Sequence, residues 1–256
     1  MRVHVTGAGG FIGRHLVPAL ERAGHQVQPA ISGADVVVHL AGIAHRKASI
    51  EELQEVNVRL PERLARQAPR FVFISSVKVH GEQSSQPLTE ASPLAPGDAY
   101  AESKARAEDA LRAIAGVKLL VLRPPLVYGP GVKANFLSLI RAIARGWPLP
   151  LASIDNRRSL IYVGNLVDAI VRALEAEGTY LVSDGEAIST PRLCREIAEA
   201  LETRARLVPF PRGLLPAKLV ASLEVDDAAF HRGWRPPFTR QQGLRVTADW
   251  LKAAER

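Results

Sequence analysis

The sequence predicts an α/β fold in which a doubly wound parallel sheet carries a smaller C-terminal subdomain. Short apolar runs, such as 35–40 and 117–122, alternate with segments of helical periodicity through the first half of the chain. Runs made almost entirely of Val, Leu and Ile are typical of strands that helices cover on both faces. A glycine-rich turn at 6–13 also follows the first strand pattern and opens the first helix pattern, as it does in Rossmann-like sheets.

The individual elements follow from this alternation, with proline and glycine marking the breaks. Strands are predicted at 2–6, 25–31, 35–40, 71–75, 117–122, 160–163 and 179–182. Helices are predicted at 11–23, 50–67, 100–114, 136–145 and 166–175. The second half is less regular, because proline and glycine cluster at 209–216 and 233–237.

Composition excludes several classes of protein. The 256 residues suit one large domain, or one domain with a small appendage. The single cysteine, Cys194, rules out an intrachain disulfide and a metal site built on several cysteines, and we expect no metal. No window holds the ~20 apolar residues of a membrane span. Residues 1–5 lack the features of a signal peptide, so we expect a cytoplasmic protein.

The net charge of +7 could serve a nucleic acid, an acidic lipid surface or an anionic small molecule. The basic residues are scattered, however, mostly as arginines on helix faces, and they form no long run. We therefore interpret the charge as a solvated surface and expect neither a nucleic-acid nor a membrane partner. An anionic substrate would use only a few of these arginines.

The turn at 6–13, with the sequence TGAGGFIG, predicts a dinucleotide site. Gly7 permits the tight turn, Gly10 lets the backbone approach a pyrophosphate, and Gly13 lets the helix pack closely on the strand. The free N–H groups at the start of the helix face the phosphates. A carboxylate for the adenosine ribose is expected about 20 residues further on. The second strand ends in 28–32 (QPAIS) without one, so NAD and NADP both stay open.

A tyrosine and a lysine, Tyr100 and Lys104, stand four residues apart on a predicted helix and therefore share one face. A free phenol titrates near a pH of about 10, and we expect the neighbouring cation to lower the pKa of Tyr100. The pair can then transfer a proton. Ser75 and Ser76 end a buried strand upstream, where a hydroxyl faces the ligand crevice. A serine there either hydrogen-bonds the oxygen that the tyrosine deprotonates or merely terminates the strand.

Together these motifs resemble the extended short-chain dehydrogenase/reductase superfamily, specifically its NAD-dependent epimerase/dehydratase family. The matches are ordered along nearly the whole chain: Thr6-Gly7-x-x-Gly10-x-x-Gly13, His39-Leu40-Ala41-Gly42, Asn57-Val58, 75–81 (SSVKVHG), Tyr100-x-x-x-Lys104, 123–131 (RPPLVYGPG) and Gly233-Trp234-Arg235-Pro236. The stretches 123–135, 156–159 and 182–185 look most like a bacterial surface-polysaccharide subgroup. That subgroup includes UDP-glucose 4-epimerases and reductases of UDP-4-keto-6-deoxy-N-acetylhexosamines.

The resemblance implies a role for each matching position. Ser76, Tyr100 and Lys104 would be the catalytic trio. The cofactor, NAD or NADP, would contact Gly7, Gly10, Phe11, Ile12, Gly13, Leu40, Ala41, Gly42, Asn57, Tyr100, Lys104 and Pro124. The substrate would contact Ser76, Asn135 and Arg158, the last two at the base and diphosphate of a nucleotide sugar. Residues 1–130 and 159–185 would form the NAD(P)-binding core, and residues 131–158 and 186–256 the substrate-binding subdomain.

The sequence departs from the family pattern in two places. Family members usually carry about 30 more residues before the His39 strand, where this chain has only 32–34. The sheet should therefore lose an edge strand, and the adenine should be held loosely. His80 also replaces the family's frequent tyrosine before Gly81, and we expect it to be an ordinary loop histidine.

The resemblance implies an enzyme that acts at C4 of a UDP-hexose or UDP-N-acetylhexosamine, as an epimerase or as a 4-keto-reductase. A 4,6-dehydratase is disfavoured, because Val77 and Lys78 occupy the places of that reaction's Asp-Glu pair. The alternative is a non-catalytic NAD(P)-binding regulator on the same scaffold, against which the presence of Tyr100 counts. A homodimer is expected through helices 50–67 and 100–114.

Overall fold

A parallel β-sheet forms the centre of the molecule, in a computed structural model that describes residues 1–44 and 48–255. Within these residues the sheet has six strands, in the order β2-β1-β3-β4-β5-β8. They are β1 (Arg2–Thr6), β2 (Gln26–Gln28), β3 (Val36–His39), β4 (Arg70–Ile74), β5 (Lys118–Arg123) and β8 (Gly178–Leu181). Two further strands, β6 (Leu126–Tyr128) and β7 (Leu160–Tyr162), pair in parallel with each other. The predicted α/β fold with a parallel sheet is confirmed.

Helices connect and cover these strands. They are α1 (Phe11–Arg22), α2 (Ile50–Leu53), α3 (Leu60–Ala65), α4 (Ala99–Arg112), α5 (Ala134–Ala144), α6 (Val163–Arg172), α7 (Thr190–Ala200), α8 (Ala217–Val220), α9 (Ala228–His231) and α10 (Arg240–Ala254). A π-helical stretch, Gln54–Arg59, joins α2 to α3, and short 3-10 helices lie at Val77–His80 and Arg212–Leu214. None of the helices described in residues 1–44 and 48–255 is long and apolar enough to cross a membrane.

The two faces of the sheet bury two separate cores, because successive side chains of a strand point to opposite faces. In β3, Val36 and Val38 belong to a large core that includes side chains of α1, α6 and α10. Val37 belongs to a second core, built on Phe71 and Phe73 of β4 and closed by α3 and α4. Helices on both faces explain why the strand sequences read as continuous apolar runs rather than as alternating ones.

The two C-terminal helices, α7 and α10, were not predicted from the sequence. Both have clear start signals, since Ser189 accepts the Arg192 N–H before α7, and Thr239 forms a capping box with Gln242 before α10. The buried face of α10 includes Gly243 and Thr247, whereas the buried face of α7 is apolar, with Leu193, Cys194 and Ile197 at helical spacing. A search for caps, rather than for apolar periodicity alone, would have located these helices.

The sheet ends at β2, as the shortened connection predicts. β2 and β3 lie on either side of β1 and both run parallel to it, so residues 29–35 must return the chain from one end of the sheet towards the other. Parallel strands are usually joined by about a dozen residues or more. The short connection suffices because β2 has only three residues and its last, Gln28, pairs with His4. Asp35 then anchors the start of β3 by accepting hydrogen bonds from the backbone and side chain of Arg2.

The glycine turn after β1 needs glycine at two positions for steric reasons. Gly7 has a φ of 72°, and a Cβ there would lie 2.9 Å from the Ala41 nitrogen. A Cβ on Gly13 would collide with the carbonyl oxygen of Gly7 and with Ala8. The sequence predicts that Gly13 packs closely against the strand. In the structure, a Cβ on Gly13 would instead be nearest to atoms of the turn itself.

We expect Gly13→Ala to lower the free energy of unfolding by about 1–3 kcal/mol, because backbone atoms of the turn must move to admit the methyl group. Gly9→Ala is the matched control, since a Cβ at Gly9 meets no atom of the described residues within 4 Å. Urea denaturation of both variants measures the difference. Equal stabilities of the two variants would contradict the packing described here.

Candidate active site

The candidate residues gather at the edge of the sheet where the parallel strands end. The glycine turn follows β1, Leu40 to Gly42 follow β3, Ser75 and Ser76 follow β4, and Pro124 follows β5. Hydrogen bonds join these segments, since Leu40 N–H donates to the Thr6 carbonyl and Val77 N–H to the Pro124 carbonyl. Ligands of such sheets bind at this edge. The structure therefore brings together segments that are far apart in the sequence.

The start of α1 is suited to hold a pyrophosphate. The first N–H groups of a helix have no acceptor within the helix, and no side chain caps this helix at Gly10. These free donors and the positive end of the helix dipole attract an anion. The cradle continues at Gly42, where a Cβ would lie 3.2 Å from Asn57 Oδ1 and 3.7 Å from Lys104 Nζ. The residues present therefore fit a dinucleotide.

The side-chain amide of Asn57 forms hydrogen bonds with the protein itself. Its Oδ1 accepts a hydrogen bond from the Ile43 N–H at 2.8 Å, and its Nδ2 donates to the Ile43 carbonyl at 3.1 Å. The same Nδ2 donates to Ser103 Oγ on α4 at 2.9 Å. Asn57 is buried in the π-helical stretch. It thus fixes the loop that follows Gly42 against α4.

The Ser76 hydroxyl lies near the phenol of Tyr100, where it acts to lower the pKa of that phenol. Ser76 caps the 3-10 helix Val77–His80, and its Oγ accepts the Lys78 N–H at 3.3 Å. Tyr100 lies in the first turn of α4, which begins after the capping residue Asp98. Two separate elements, the end of β4 and the start of α4, therefore bring Ser76 and Tyr100 near each other.

Lys104 lies one turn further along α4 but does not lower the pKa of Tyr100 as predicted. Burial and the Asp98 carboxylate raise that pKa to about 12, while the nearby Ser76 hydroxyl acts in the opposite direction. Lys104 is itself buried, which lowers its pKa to about 8. Its Nζ donates to the Ile74 carbonyl at 2.8 Å and lies 4.4 Å from the ring centre of Phe73. Lys104 does not lower the pKa of Tyr100 because the Ile74 carbonyl holds its ammonium group at β4.

His39, under the crevice, is neutral. It is fully buried and stacked with Phe71 and Phe73, and its Nδ1 bonds to Thr6 Oγ1 at 2.9 Å. Burial and the nearby Lys104 charge lower the pKa of His39 to about 3. The imidazole therefore adds no second positive charge beside Lys104.

A buried ion pair supports the site from below. Glu108 of α4 and Arg123 at the end of β5 are almost inaccessible and bind each other through two pairs of atoms. Ser75 Oγ donates to Glu108 Oε1 at 2.6 Å. His80 joins from the other side, since its Nε2 lies 2.9 Å from Arg123 Nη1 and its Nδ1 lies 3.1 Å from the Pro93 carbonyl.

This network corrects the expectation that His80 is an ordinary loop histidine. A carbonyl can only accept, so Nδ1 carries the proton and Nε2 accepts from Arg123. Burial lowers the pKa of His80, and Arg123 acts in the same direction. The sequence signal for the network was Arg123, a charged residue inside an apolar run, since arginine is rarely buried without a partner.

A cleft of about 410 Å³ lies beside the Ser76 segment. One wall is His80 to Gln83, and the opposite wall includes Ala217, Lys218 and Ala221. Arg158 supports that second wall, because its Nη1 donates to the carbonyls of Lys218 at 3.0 Å and Ala221 at 3.1 Å. An ion pair of 2.7 Å between Lys218 Nζ and Glu82 spans the cleft.

Besides Ser76, the predicted substrate residues are Asn135 and Arg158, and these two lie in different settings. Arg158 is only partly exposed and is held by the segment that contains Lys218. Asn135 is exposed in the first turn of α5, directly after Ala134, whose φ of 54° is unusual for a residue with a side chain. Strained backbone of this kind is concentrated at functional sites.

The chain belongs to the NAD dependent epimerase/dehydratase family, whose sequence profile matches residues 26–182. It is 35% identical to a UDP-glucose 4-epimerase of Vibrio cholerae, over 98% of this chain and 96% of that protein. It is 28% identical to a GDP-6-deoxy-D-mannose reductase of Pseudomonas aeruginosa, over 97% of both chains. The structure of RMD from Pseudomonas aeruginosa in complex with NADPH superimposes with a TM-score of 0.82, at 26% identity and 99% coverage of both chains.

These comparisons confirm the resemblance to this family of NAD-dependent enzymes, and the two relatives named here are an epimerase and a reductase of nucleotide sugars. The alignment with the Vibrio cholerae protein extends over 315 positions, although this chain has only 256 residues, so that protein contains residues that this chain lacks. The family profile begins to match at residue 26, after the glycine turn.

We expect Glu108→Gln to destabilise the protein by about 3–5 kcal/mol at neutral pH, because Arg123 would remain buried without its counter-ion. Glu102→Gln is the matched control on the same helix. Glu102 is half exposed and binds Arg106 at the surface, where an ion pair contributes about 0–1 kcal/mol. Denaturant titration of both variants gives the two losses, and a similar loss in both would contradict the role of the buried pair.

The pH dependence of protein stability provides a second test of the buried ion pair. Burial raises the pKa of Glu108, but hydrogen bonds and charges from Arg123, Ser75 and Arg112 outweigh it, so the pKa lies below the usual 4.5. A carboxyl group whose pKa is depressed on folding stabilises the protein above its unfolded-state pKa, and this contribution is lost as the pH falls through the folded-state value. The stability difference between the wild type and Glu108→Gln should therefore narrow in acid below about pH 4.5.

Proposed function

We propose that the protein is an NAD(P)-dependent nucleotide-sugar epimerase or 4-keto-reductase that acts at C4 of a UDP-hexose or UDP-N-acetylhexosamine. The observation that carries this proposal is the placement of Ser76, after β4, and Tyr100, in the first turn of α4, near each other at the strand ends beside the pyrophosphate cradle. The similarity to a UDP-glucose 4-epimerase and to a GDP-sugar reductase supports the substrate class.

NAD or NADP is the proposed cofactor. The backbone at Gly7, Gly10 and the first turn of α1 (Phe11, Ile12, Gly13) would hold the pyrophosphate, and Leu40, Ala41, Gly42 and Pro124 would line the remaining cradle. When bound, the nicotinamide supplies or accepts the hydride. In our proposal Asn57 acts on this cofactor indirectly, through the loop that it fixes.

The residues of the trio have separate tasks in the proposed reaction. Tyr100 Oη takes the proton from the sugar hydroxyl in oxidation and returns it to the carbonyl oxygen in reduction. Ser76 Oγ hydrogen-bonds the same sugar oxygen and orients it beside the phenol. We propose that Lys104 stabilises negative charge on the phenol through the N–H donors that its contact with the Ile74 carbonyl leaves over, since an ammonium group has three donors.

The sugar nucleotide is proposed to occupy the cleft between the His80 segment and the α8 segment, with Asn135 and Arg158 at its base and diphosphate. Arg158 has one nitrogen engaged with backbone carbonyls, which fixes the guanidinium plane and leaves other N–H groups for phosphate oxygens. Residues 131–158 and 186–256 would supply this substrate side, and residues 1–130 and 159–185 the cofactor side. A dehydratase stays disfavoured, since Val77 is buried and Lys78 is cationic.

The homodimer stays a prediction. The outward faces of the two helical segments proposed to pair are largely charged, with ion pairs such as Arg59–Glu55, Arg66–Glu62 and Arg106–Glu102. An interface built on them would be polar, and salt would weaken it.

We expect Tyr100→Phe to fold and to bind cofactor, but to lose about 10²–10⁴-fold in turnover, because it removes the group that transfers the proton. Tyr180→Phe is the matched control, since the Tyr180 hydroxyl bonds only to the Glu177 carbonyl among the described residues. A panel of UDP-sugars, read by cofactor fluorescence and product analysis, provides the assay. Activity of Tyr100→Phe within a few-fold of the wild type would exclude Tyr100 as the catalytic group and would favour the alternative of a non-catalytic NAD(P)-binding regulator.

We expect the purified protein to carry much less than one NAD(P) per chain. The sheet ends at the three-residue β2, and Gln28 ends that strand where a carboxylate usually binds the adenosine ribose. The pyrophosphate contacts remain, so binding persists but is weaker. Denaturing the protein and assaying the released dinucleotide measures the occupancy. Loose binding suits a reductase that exchanges its cofactor in every cycle, whereas near-stoichiometric cofactor would favour an epimerase.

A further inference from the structure

Lys78 contacts both of the segments that carry the hydroxyls of the candidate site. Its backbone N–H donates to Ser76 Oγ at 3.3 Å. Its side chain extends in the other direction, and Nζ lies 3.0 Å from Asp98 Oδ2 and 3.3 Å from Glu82 Oε1. Lys78 therefore contacts both Ser76 and the residue that begins the Tyr100 helix.

Asp98 is fixed close to Tyr100 by its own role in the helix. Its Oδ1 caps α4 by accepting the Ala101 N–H at 2.8 Å, so the carboxylate is held two residues before the phenol. A carboxylate in this place opposes ionisation of Tyr100. The cap that orients the helix is thus electrostatically unfavourable for a phenol that must give up its proton.

We propose that Lys78 is a positioning residue for the reaction: it anchors Ser76 through its backbone and neutralises Asp98 through its side chain, so that the helix cap does not hold the proton on Tyr100. The proposal rests on the proposed function, because it assigns the proton transfer to Tyr100. It gives Lys78 a task that is distinct from contact with the sugar.

The charges around Tyr100 come from several elements, and Lys78 occupies a distinct place among them. Lys104 lies on α4 itself but donates to the Ile74 carbonyl. Lys218 of α8 binds Glu82 at 2.7 Å. It acts on Asp98 only through its charge, without direct contact. Among the described residues, Lys78 is the cation that forms an ion pair with Asp98.

Lys78→Met removes the charge and keeps the length of the side chain. We expect it to move the pH dependence of kcat, and the titration of Tyr100, to higher pH by about 0.5 pH unit, a modest shift because the pair is partly exposed and screened. Lys78→Arg should restore the wild-type profile. Lys218→Met is the matched control and should give a smaller shift, because Lys218 does not contact Asp98.

Asp98→Asn provides the decisive background, because asparagine caps a helix about as well as aspartate but carries no charge. In this background Lys78→Met should no longer shift the profile, since no carboxylate remains to be neutralised. If Lys78 bound the sugar directly or only stabilised the fold, Lys78→Met would reduce activity equally in both backgrounds without moving the profile. That outcome would overturn the proposal.

A readout without turnover separates this proposal from the proposed function. Carbon-13 NMR of the tyrosine Cζ atoms, with the resonance assigned by Tyr100→Phe, follows the ionisation of Tyr100 directly. An unchanged titration in Lys78→Met would refute the role of Lys78 even in an active enzyme. Conversely, a shifted titration in a protein that turns over no UDP-sugar would support Lys78 and reject the proposed substrate class.

Discussion

The geometry of the site depends on the buried ion pair between Glu108 and Arg123. Glu108 belongs to α4, which also carries Tyr100 and Lys104, and Arg123 ends β5 just before Pro124. Ser75, next to Ser76, donates to the same carboxylate. One buried carboxylate therefore sets the position of α4 relative to the ends of two strands. Removing two charges from water is costly unless their geometry is good, so this pair tolerates little displacement of the elements that it joins.

Much of the cofactor side could be predicted from the sequence, because its signals are local. A few consecutive residues suffice to recognise the glycine turn at 6–13, the apolar run of β3 and the hydroxyls after β4. The electrostatics could not be predicted in this way. The spacing of Tyr100 and Lys104 is local, but the contact of Lys104 with the Ile74 carbonyl depends on where α4 packs on β4. The partners of Arg123 and His80 likewise come from distant parts of the chain.

The C-terminal part was harder to predict for a different reason. The face of α10 buries Gly243 and Thr247 as well as large apolar side chains. Asp184, which precedes α7 in the chain, accepts hydrogen bonds from Tyr128, Asn165 and the Tyr162 N–H. Polar groups that are satisfied only in the folded state do not produce apolar periodicity. In such segments, capping residues such as Thr239 still indicate where a helix begins.

The short connection between β2 and β3 has a consequence for how the chain folds. It brings the three strands β1, β2 and β3 and the helix α1 within residues 2–39, so contacts between them close short loops. Closing a short loop costs less chain entropy than closing a long one, and local contacts favour rapid folding. The short connection thus makes half of the six-stranded sheet, β1 to β3, a compact local unit that can form before the distant strands β5 and β8 arrive.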